Sequence, residues 1–164
     1  MAALVFFIKK TNGSLQLVQN YRVLNSMTVK NKYPFPLISK LVSQLCEAKY
    51  FTKLDIHWDF NNIHIKPRDK WKVAFRTNRG LFEPLVMFFG MTNSLVIFQT
   101  MMNNIFWDLI AEGIMVVYLD DILIFTRMEE EHVKAIRQVL QVLQENKLFL
   151  HPEKYKFCKE QIKY

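Results

Sequence analysis

Two adjacent carboxylates, Asp120 and Asp121, interrupt the run Val116-Val117-Tyr118-Leu119-Asp120-Asp121-Ile122-Leu123-Ile124-Phe125, which otherwise reads as buried strand. An unpaired buried carboxylate is costly and two neighbours repel each other. The pair therefore sits at an exposed turn, or positive charge sits on it. A second apolar run, Tyr50-Phe51-Thr52-Lys53-Leu54-Asp55-Ile56, also carries an aspartate near its end. If Asp55 and the Asp120-Asp121 tip lie on neighbouring strands, three carboxylates converge on a small volume. Hard divalent ions with oxygen ligands relieve such a cluster, and Mg²⁺ keeps waters and adds phosphate oxygens. Two such ions about 3.5–4 Å apart stabilise the attacking and leaving oxygens of an in-line phosphoryl displacement. Taken alone, Asp-Asp at a hairpin tip is usually just a solvated turn.

The elements that must position these groups are legible in outline. Residues 4–8 and 14–18 flank Thr11-Asn12-Gly13, a hairpin turn with Lys9 and Lys10 on its approach. Proline restricts its predecessor, so 30–36 is expected to be extended. Leu37, Ile38, Leu41 and Leu45 have the spacing of a short amphipathic helix. Residues 50–55, 61–65, 72–76 and 81–86 read as strands, and 92–110 as one buried helix whose Met and Phe pack a core. Residues 115–125 fit a hairpin with Leu119-Asp120-Asp121 at its tip. Thr126 and Glu129 have capping-box spacing ahead of a helix whose apolar face is Val133, Ile136, Leu140 and Leu143. Strands interleaved with helices point to an α+β fold.

Charge and cysteine usage narrow the partners. The formal charge is +7, which favours a polyanion. Lys66, Arg68, Lys70, Lys72, Arg76 and Arg79 crowd one region with only Asp69 opposing. Such a group suits a phosphodiester backbone held with salt-sensitive affinity, or a solvated loop face. Lys9 and Lys10 either reach a triphosphate or are simply exposed. Cys46 and Cys158 lack metal-type spacing and read as reduced thiols of an intracellular protein. No apolar run approaches the ~20 residues of a membrane span, so no membrane partner is expected. The first eight residues are apolar with lysines after them, the wrong order for a signal peptide.

Tyr118-Leu119-Asp120-Asp121 resembles the YxDD box of reverse transcriptases, and the likeness to gypsy-type LTR retrotransposon Pol polyproteins covers nearly the whole chain. The segments that carry it are Phe7-Ile8-Lys9-Lys10, Gly13-Ser14-Leu15, Tyr21-Arg22-Val23-Leu24-Asn25 and Tyr33-Pro34-Phe35-Pro36-Leu37-Ile38. Ala48-Lys49-Tyr50-Phe51-Thr52-Lys53-Leu54-Asp55, Ala74-Phe75-Arg76-Thr77, Phe89-Gly90-Met91-Thr92-Asn93, Phe98-Gln99 and His151-Pro152-Glu153-Lys154 continue it. The resemblance implies a right-hand polymerase, with fingers near 1–29 and 63–92 and palm near 30–62 and 93–164. The palm would hold a ferredoxin-like antiparallel sheet with helices packed on one face. Thumb and RNase H would be absent from this stretch.

The resemblance also implies an RNA-directed DNA polymerase, using two Mg²⁺ ions (Mn²⁺ as substitute), a primed RNA or DNA template and dNTP. Asp55, Asp120 and Asp121 would be the catalytic, metal-binding carboxylates, and the Ile56 carbonyl a further ligand. Phe60 would be the steric gate that collides with a ribose 2′-OH. Lys9, Lys10, Phe89, Gly90, Gln99 and Tyr118 would line the nucleotide site. Arg22 would brace the fingers. Other Pol segments would be partners within a polyprotein. The chain would act in the cytoplasm, nucleus or virus-like particles.

Several positions depart from the family pattern. Gln16 stands where an arginine usually meets the triphosphate, which loses a charge-assisted grip. Asn20 replaces an aspartate, Asp59 a glycine, and Leu95 and Leu4 prolines. These departures keep a second reading in play: an inactive retroelement relic that folds and at most binds nucleic acid.

Overall fold

The computed structural model describes residues 2–10, 13–34, 43, 45–57, 59–151 and 156–159. In chain order the elements are strands β1 (Ala3–Lys9) and β2 (Leu15–Gln19), helix α1 (Arg22–Met27), β3 (Tyr50–Asp55) and two 3-10 helices (Asp59–Asn62 and Pro67–Val73). There follow β4 (Phe75–Thr77), β5 (Gly80–Phe82), α2 (Ser94–Ile105), α3 (Trp107–Ala111), β6 (Met115–Tyr118), β7 (Asp121–Thr126), α4 (Glu129–Glu145) and β8 (Lys156–Lys159). The chain divides into two compact units, Met1–Lys32 with Phe60–Leu95, and Tyr33–Asp59 with Val96–Tyr164.

In the first unit β1 and β2 pair as an antiparallel hairpin, with Lys9 opposite Leu15. Lys10 N–H donates to Ser14 O at 2.8 Å and Gly13 N–H to Lys10 O at 2.9 Å, with Gly13 at φ 84°. Thr11 and Asn12 of the expected turn lie outside the described residues. The sheet order is β2-β1-β4-β5, β1 and β4 running parallel. Tyr21 ties this sheet to the second 3-10 helix. It is buried, its hydroxyl donates to Val73 O at 3.1 Å, and burial pushes its phenol up to about 12.

Three expectations for this unit are corrected. Residues 61–65 do not form a strand; the chain makes a 3-10 turn over Asp59–Asn62 and only His64 bridges to Val86. Asn61 and Asn62 are poor strand formers and good turn formers. The strand placed at 72–76 begins only at Phe75, because Pro67 opens a 3-10 helix that runs to Val73. The strand placed at 81–86 ends at Phe82, two residues before Pro84.

The second unit holds an antiparallel sheet of order β6-β7-β3-β8. Its register assigns the two faces. Tyr50 pairs with Thr126, Thr52 with Ile124, Leu54 with Ile122 and Asp55 with Asp121. Directly opposed residues share a face and alternate residues change face. One face thus carries Thr52, Leu54, Ile122 and Ile124, all fully buried. Helix α4 packs against β3 and β7. The other face carries Phe51, Lys53, Asp55, Asp121, Leu123 and Phe125. Its apolar end is sealed by Val116, Leu123 and Phe125, against which Leu45, Ala48 and Phe51 pack.

His132 of α4 pins the helix to the sheet. It is fully buried, with Nε2 2.8 Å from Thr52 Oγ1 and Nδ1 3.1 Å from Thr126 Oγ1. The Thr126 hydroxyl donates its proton to Met128 O at 3.0 Å, so it accepts from Nδ1–H, and Nε2 of the neutral ring accepts from Thr52. Burial holds the imidazole below its usual value. This arrangement replaces the expected Thr126–Glu129 capping box: the N-cap is Met128, with no side-chain cap bond. Glu129, Glu130 and Glu131 still place negative charge on the first turn, where the helix dipole favours it.

The single helix expected over 92–110 is broken. α2 ends at Ile105, and Phe106 (φ −103°, ψ 19°) is the N-cap of α3. The break leaves Phe106 and Leu109 both in the core. The amphipathic helix expected at Leu37, Ile38 and Leu41, the extended Phe35-Pro36 and the motif residues Pro152-Glu153-Lys154 lie outside the described residues. No helix among the described residues is long and apolar enough to cross a membrane.

Candidate active site

Asp55 is the last residue of β3 and Asp121 the first of β7, and the two are cross-strand partners. Their side chains therefore leave the sheet on the same face. Asp120 belongs to the two-residue tip between β6 and β7, where Tyr118 pairs with Asp121. Its carbonyl accepts the Ile56 N–H at 3.1 Å, which fixes the tip against the end of β3. Asp55 is buried, and its carbonyl accepts from His151 N–H at 2.9 Å. His57 N–H donates to Phe149 O at 2.7 Å, and Ile56 bridges Leu150. Both of these outer hydrogen bonds skip Ile56. A strand residue's N–H and C=O point the same way, so the Ile56 carbonyl also points toward the hairpin tip. The imidazoles of His57 and His151 pack edge to face, with centroids 4.6 Å apart.

The tip itself is strained and braced. Leu119 has φ 57°, a region that costs a branched side chain free energy. Its N–H donates to Gln99 Oε1 at 2.8 Å, while Gln99 Nε2 donates to Val117 O at 3.0 Å and to Asn103 Oδ1 at 2.9 Å. Asn103 Nδ2 in turn donates to the Tyr33 hydroxyl at 2.8 Å. Gln99 is fully enclosed and both ends of its amide are spent on α2 and the hairpin. Tyr118 is half-buried at the end of β6.

Lys53 lies on the same strand face as Asp55, two residues away, and its Nζ donates to Asp121 Oδ2 at 2.6 Å. The motif reading assigned it no role. The signal was present, since i and i−2 on a strand share a face. Among the described residues no group of three His, Cys, Asp or Glu side chains is drawn together tightly enough to hold an ion. The three carboxylates are neighbours in backbone register, but Asp121 is turned to Lys53. The donor set is all oxygen, and two strand ends and a tip hold it. Its chemistry fits a hard divalent cation.

The remaining predicted residues belong to the first unit. Lys9 and Lys10 are exposed at the end of the β1–β2 hairpin. Phe60 is half-buried in its 3-10 turn, its ring 5.9 Å from that of Phe89, which is itself exposed. Gly90 has φ 98°, which favours glycine. Asn25, another residue given no role above, holds this loop from two sides. Its Nδ2 donates to Gly90 O at 2.8 Å and its Oδ1 accepts the Thr92 N–H at 2.9 Å. Asn93 adds a bond from Nδ2 to Val29 O at 2.9 Å. Of the basic group, Lys72 is paired with Asp69 at 2.6 Å. The hydrogen bond from Lys72, aided by its charge and those of Arg68 and Lys66, holds the Asp69 carboxyl below its usual range.

Residues 8–164 match the model of a family described as reverse transcriptase (RNA-dependent DNA polymerase). The chain is 38% identical over 160 residues to the Tf2-3 and Tf2-7 transposon polyproteins of Schizosaccharomyces pombe, covering 98% of itself and 12% of each of them. It thus spans about an eighth of the length of these curated relatives. Among solved structures, it superposes on a foamy viral protease-reverse transcriptase in complex with dsDNA, with TM-score 0.90 and 21% identity, over 100% of this chain and 34% of that one. A second structure of foamy viral protease-reverse transcriptase, in complex with an RNA/DNA hybrid, gives TM-score 0.85 at 21% identity, over 96% of this chain and 21% of that one. The fold is therefore that of reverse transcriptase fingers and palm.

Proposed function

Because the chain belongs to the reverse transcriptase (RNA-dependent DNA polymerase) family, we propose that it is the polymerase core of a retrotransposon Pol polyprotein of gypsy type, extending a primer on an RNA or DNA template with dNTPs. The observation that carries this reading is the cross-strand pairing of Asp55 with Asp121, with Asp120 bonded through its carbonyl to Ile56.

In this reading the first unit is fingers and the second palm. Asp55, Asp120 and Asp121, with the Ile56 carbonyl, would hold two Mg²⁺ or Mn²⁺ ions. When bound, such ions lower the pKa of the primer 3′-OH and neutralise charge on the leaving pyrophosphate. The 3′-oxygen attacks the α-phosphorus and the bond to the β-phosphate bridging oxygen breaks. The protein's work is positioning, since phosphoryl transfer asks little covalent chemistry of the side chains. Gln99 holds the Leu119 tip and so aims the carboxylates, and in this reading it also stands near the incoming base pair. Tyr118 lies next to that tip, on the primer side. Lys9 and Lys10 offer charge to the triphosphate, where Gln16 supplies only a neutral amide. Phe60, packed near Phe89, excludes a 2′-OH, and Asn25 holds the Gly90 loop that faces the nucleotide. The polyprotein's other segments (thumb, RNase H and integrase) would be its partners, in the cytoplasm, nucleus or virus-like particles.

A template–primer extension assay with Mg²⁺ or Mn²⁺, comparing the wild type with Asp120→Asn, tests this reading. Incorporation by the wild type that is lost in the variant is the expected result. Incorporation that survives the substitution rejects the carboxylate assignment. No incorporation, together with salt-sensitive nucleic-acid binding, identifies the inactive relic instead.

A further inference from the structure

Lys53 places an ammonium group on a carboxylate that the proposed function gives to a divalent ion. Its Nζ is 2.6 Å from Asp121 Oδ2, and both side chains are about three-quarters enclosed, at 24% exposure each. The pairing is built into the sheet. Lys53 stands directly opposite Leu123, and Asp121 is that residue's same-face neighbour two positions back. A long side chain spans this diagonal readily. Lys53 also shares its face with Asp55, so its charge lies along the line of carboxylates. Asp55 and Asp121 are themselves directly opposed in register.

Resting on the reading of Asp55, Asp120 and Asp121 as metal ligands, we propose that Lys53 is the internal counter-ion of this carboxylate set and a positioning residue for the reaction. It neutralises Asp121 and holds that carboxylate off the other two. A divalent cation that takes Asp121 Oδ2 displaces the ammonium. Lys53 thereby sets how much divalent cation is needed to assemble the site, and it limits self-repulsion of the carboxylates before assembly. No covalent bond within the protein changes in the exchange: the Lys53 hydrogen bond to Asp121 Oδ2 is lost and a metal–oxygen bond forms on the same atom. An ammonium on a single carboxylate oxygen is a modest, partly screened partner, so the exchange remains reversible.

The test is a Mn²⁺ titration followed by electron paramagnetic resonance of the free ion, at fixed ionic strength, without nucleotide. The wild type is compared with Lys53→Met, which keeps the aliphatic stem and removes the charge, and with Lys53→Arg, which keeps the charge. Lys53→Met is expected to half-saturate at about three- to tenfold lower Mn²⁺, with Lys53→Arg close to wild type. A purely structural lysine would leave affinity unchanged or weaken it in Lys53→Met, and either result overturns the proposal. A second measurement needs no variant: acetic anhydride labelling of Lys53 in the wild type, read by mass spectrometry, is expected to rise when Mg²⁺ is added. Labelling that does not change with Mg²⁺ also overturns it. If wild-type Mn²⁺ binding is present but insensitive to Asp120→Asn, the carboxylate assignment itself has failed, and the Lys53 proposal with it. Binding that is lost in Asp120→Asn but indifferent to Lys53→Met refutes the role of Lys53 alone.

Discussion

Gln99 Oε1 accepts the backbone N–H of Leu119 at 2.8 Å, and this single bond joins the core of helix α2 to the tip that carries Asp120. Leu119 sits at φ 57°, so the tip has a conformation its side chain disfavours and the enclosed amide holds it there. Gln99→Met is similar in length but cannot accept that proton or donate to Val117 O. It should cost about 1–3 kcal/mol in urea unfolding, because buried partners are left unpaired. Hydrogen exchange at the Leu119 amide should accelerate well beyond the global change. An amide that exchanges as slowly as in the wild type would show that the brace is not Gln99.

Asp120→Asn separates stability from activity. Asp120 is next to Asp121 in the chain, and removing its charge takes away one like-charged neighbour. Primer extension should fall by about a hundredfold or more, as expected when a group that stabilises transition-state charge is lost. The urea midpoint should stay level or rise. A variant that loses activity only in proportion to lost folded protein would argue against a chemical role.

Phe60 makes a specificity prediction. Its ring lies 5.9 Å from that of Phe89 in the same unit. Phe60→Val should raise the ribonucleotide to deoxynucleotide incorporation ratio by about tenfold or more, measured as the ratio of kcat/KM values. An unchanged ratio with intact dNTP incorporation would remove Phe60 from the nucleotide site.

His132 makes stability depend on pH. Burial lowers its value below the ordinary 6.5, so the folded chain keeps the ring neutral while the unfolded chain takes a proton. The unfolded state then binds more protons, and stability drops as pH falls below about 6.5, levelling once the lowered folded value is passed. Urea midpoints from pH 7.5 to 5 should decline in the wild type and flatten over that span in His132→Gln, which would itself be less stable at pH 7.5. A wild-type midpoint that is constant or rises on acidification would contradict the neutral, doubly bonded ring.

Gln19 offers a stabilising substitution. Its Nε2 is buried without a hydrogen-bond partner among the described residues, in a side chain 4% exposed at the end of β2. Gln19→Leu keeps comparable bulk and removes the orphan donor. A gain of about 1 kcal/mol in urea unfolding is expected. A loss of similar size would mean that the amide does have a partner.

Local pattern carried far in this chain. Alternating apolar strands, the Asp-Asp interruption between β6 and β7 and the periodic face of α4 depend on neighbours two to four residues apart, so they can be read from order alone. The motif segments, in their spacing, pointed to the reverse transcriptase family, and the family match and the superposed structures agree. The misplaced elements were those in which local chemistry competes with propensity. Asn61 and Asn62 fall in a turn where a strand was expected, the 3-10 helix opened by Pro67 runs into the start of the strand expected at 72–76, and Thr126 donates to Met128 O and accepts from His132 instead of capping a helix. What the sequence by itself determined is which residues carry charge and which segments are apolar enough to pair. Register across strands distant in the chain is decided only in three dimensions, because it depends on which hydrogen bonds close between them. That register set Asp55 opposite Asp121 and brought Lys53 onto the carboxylate, while hydrogen bonds between α2 and the hairpin made Gln99 the brace beneath the tip.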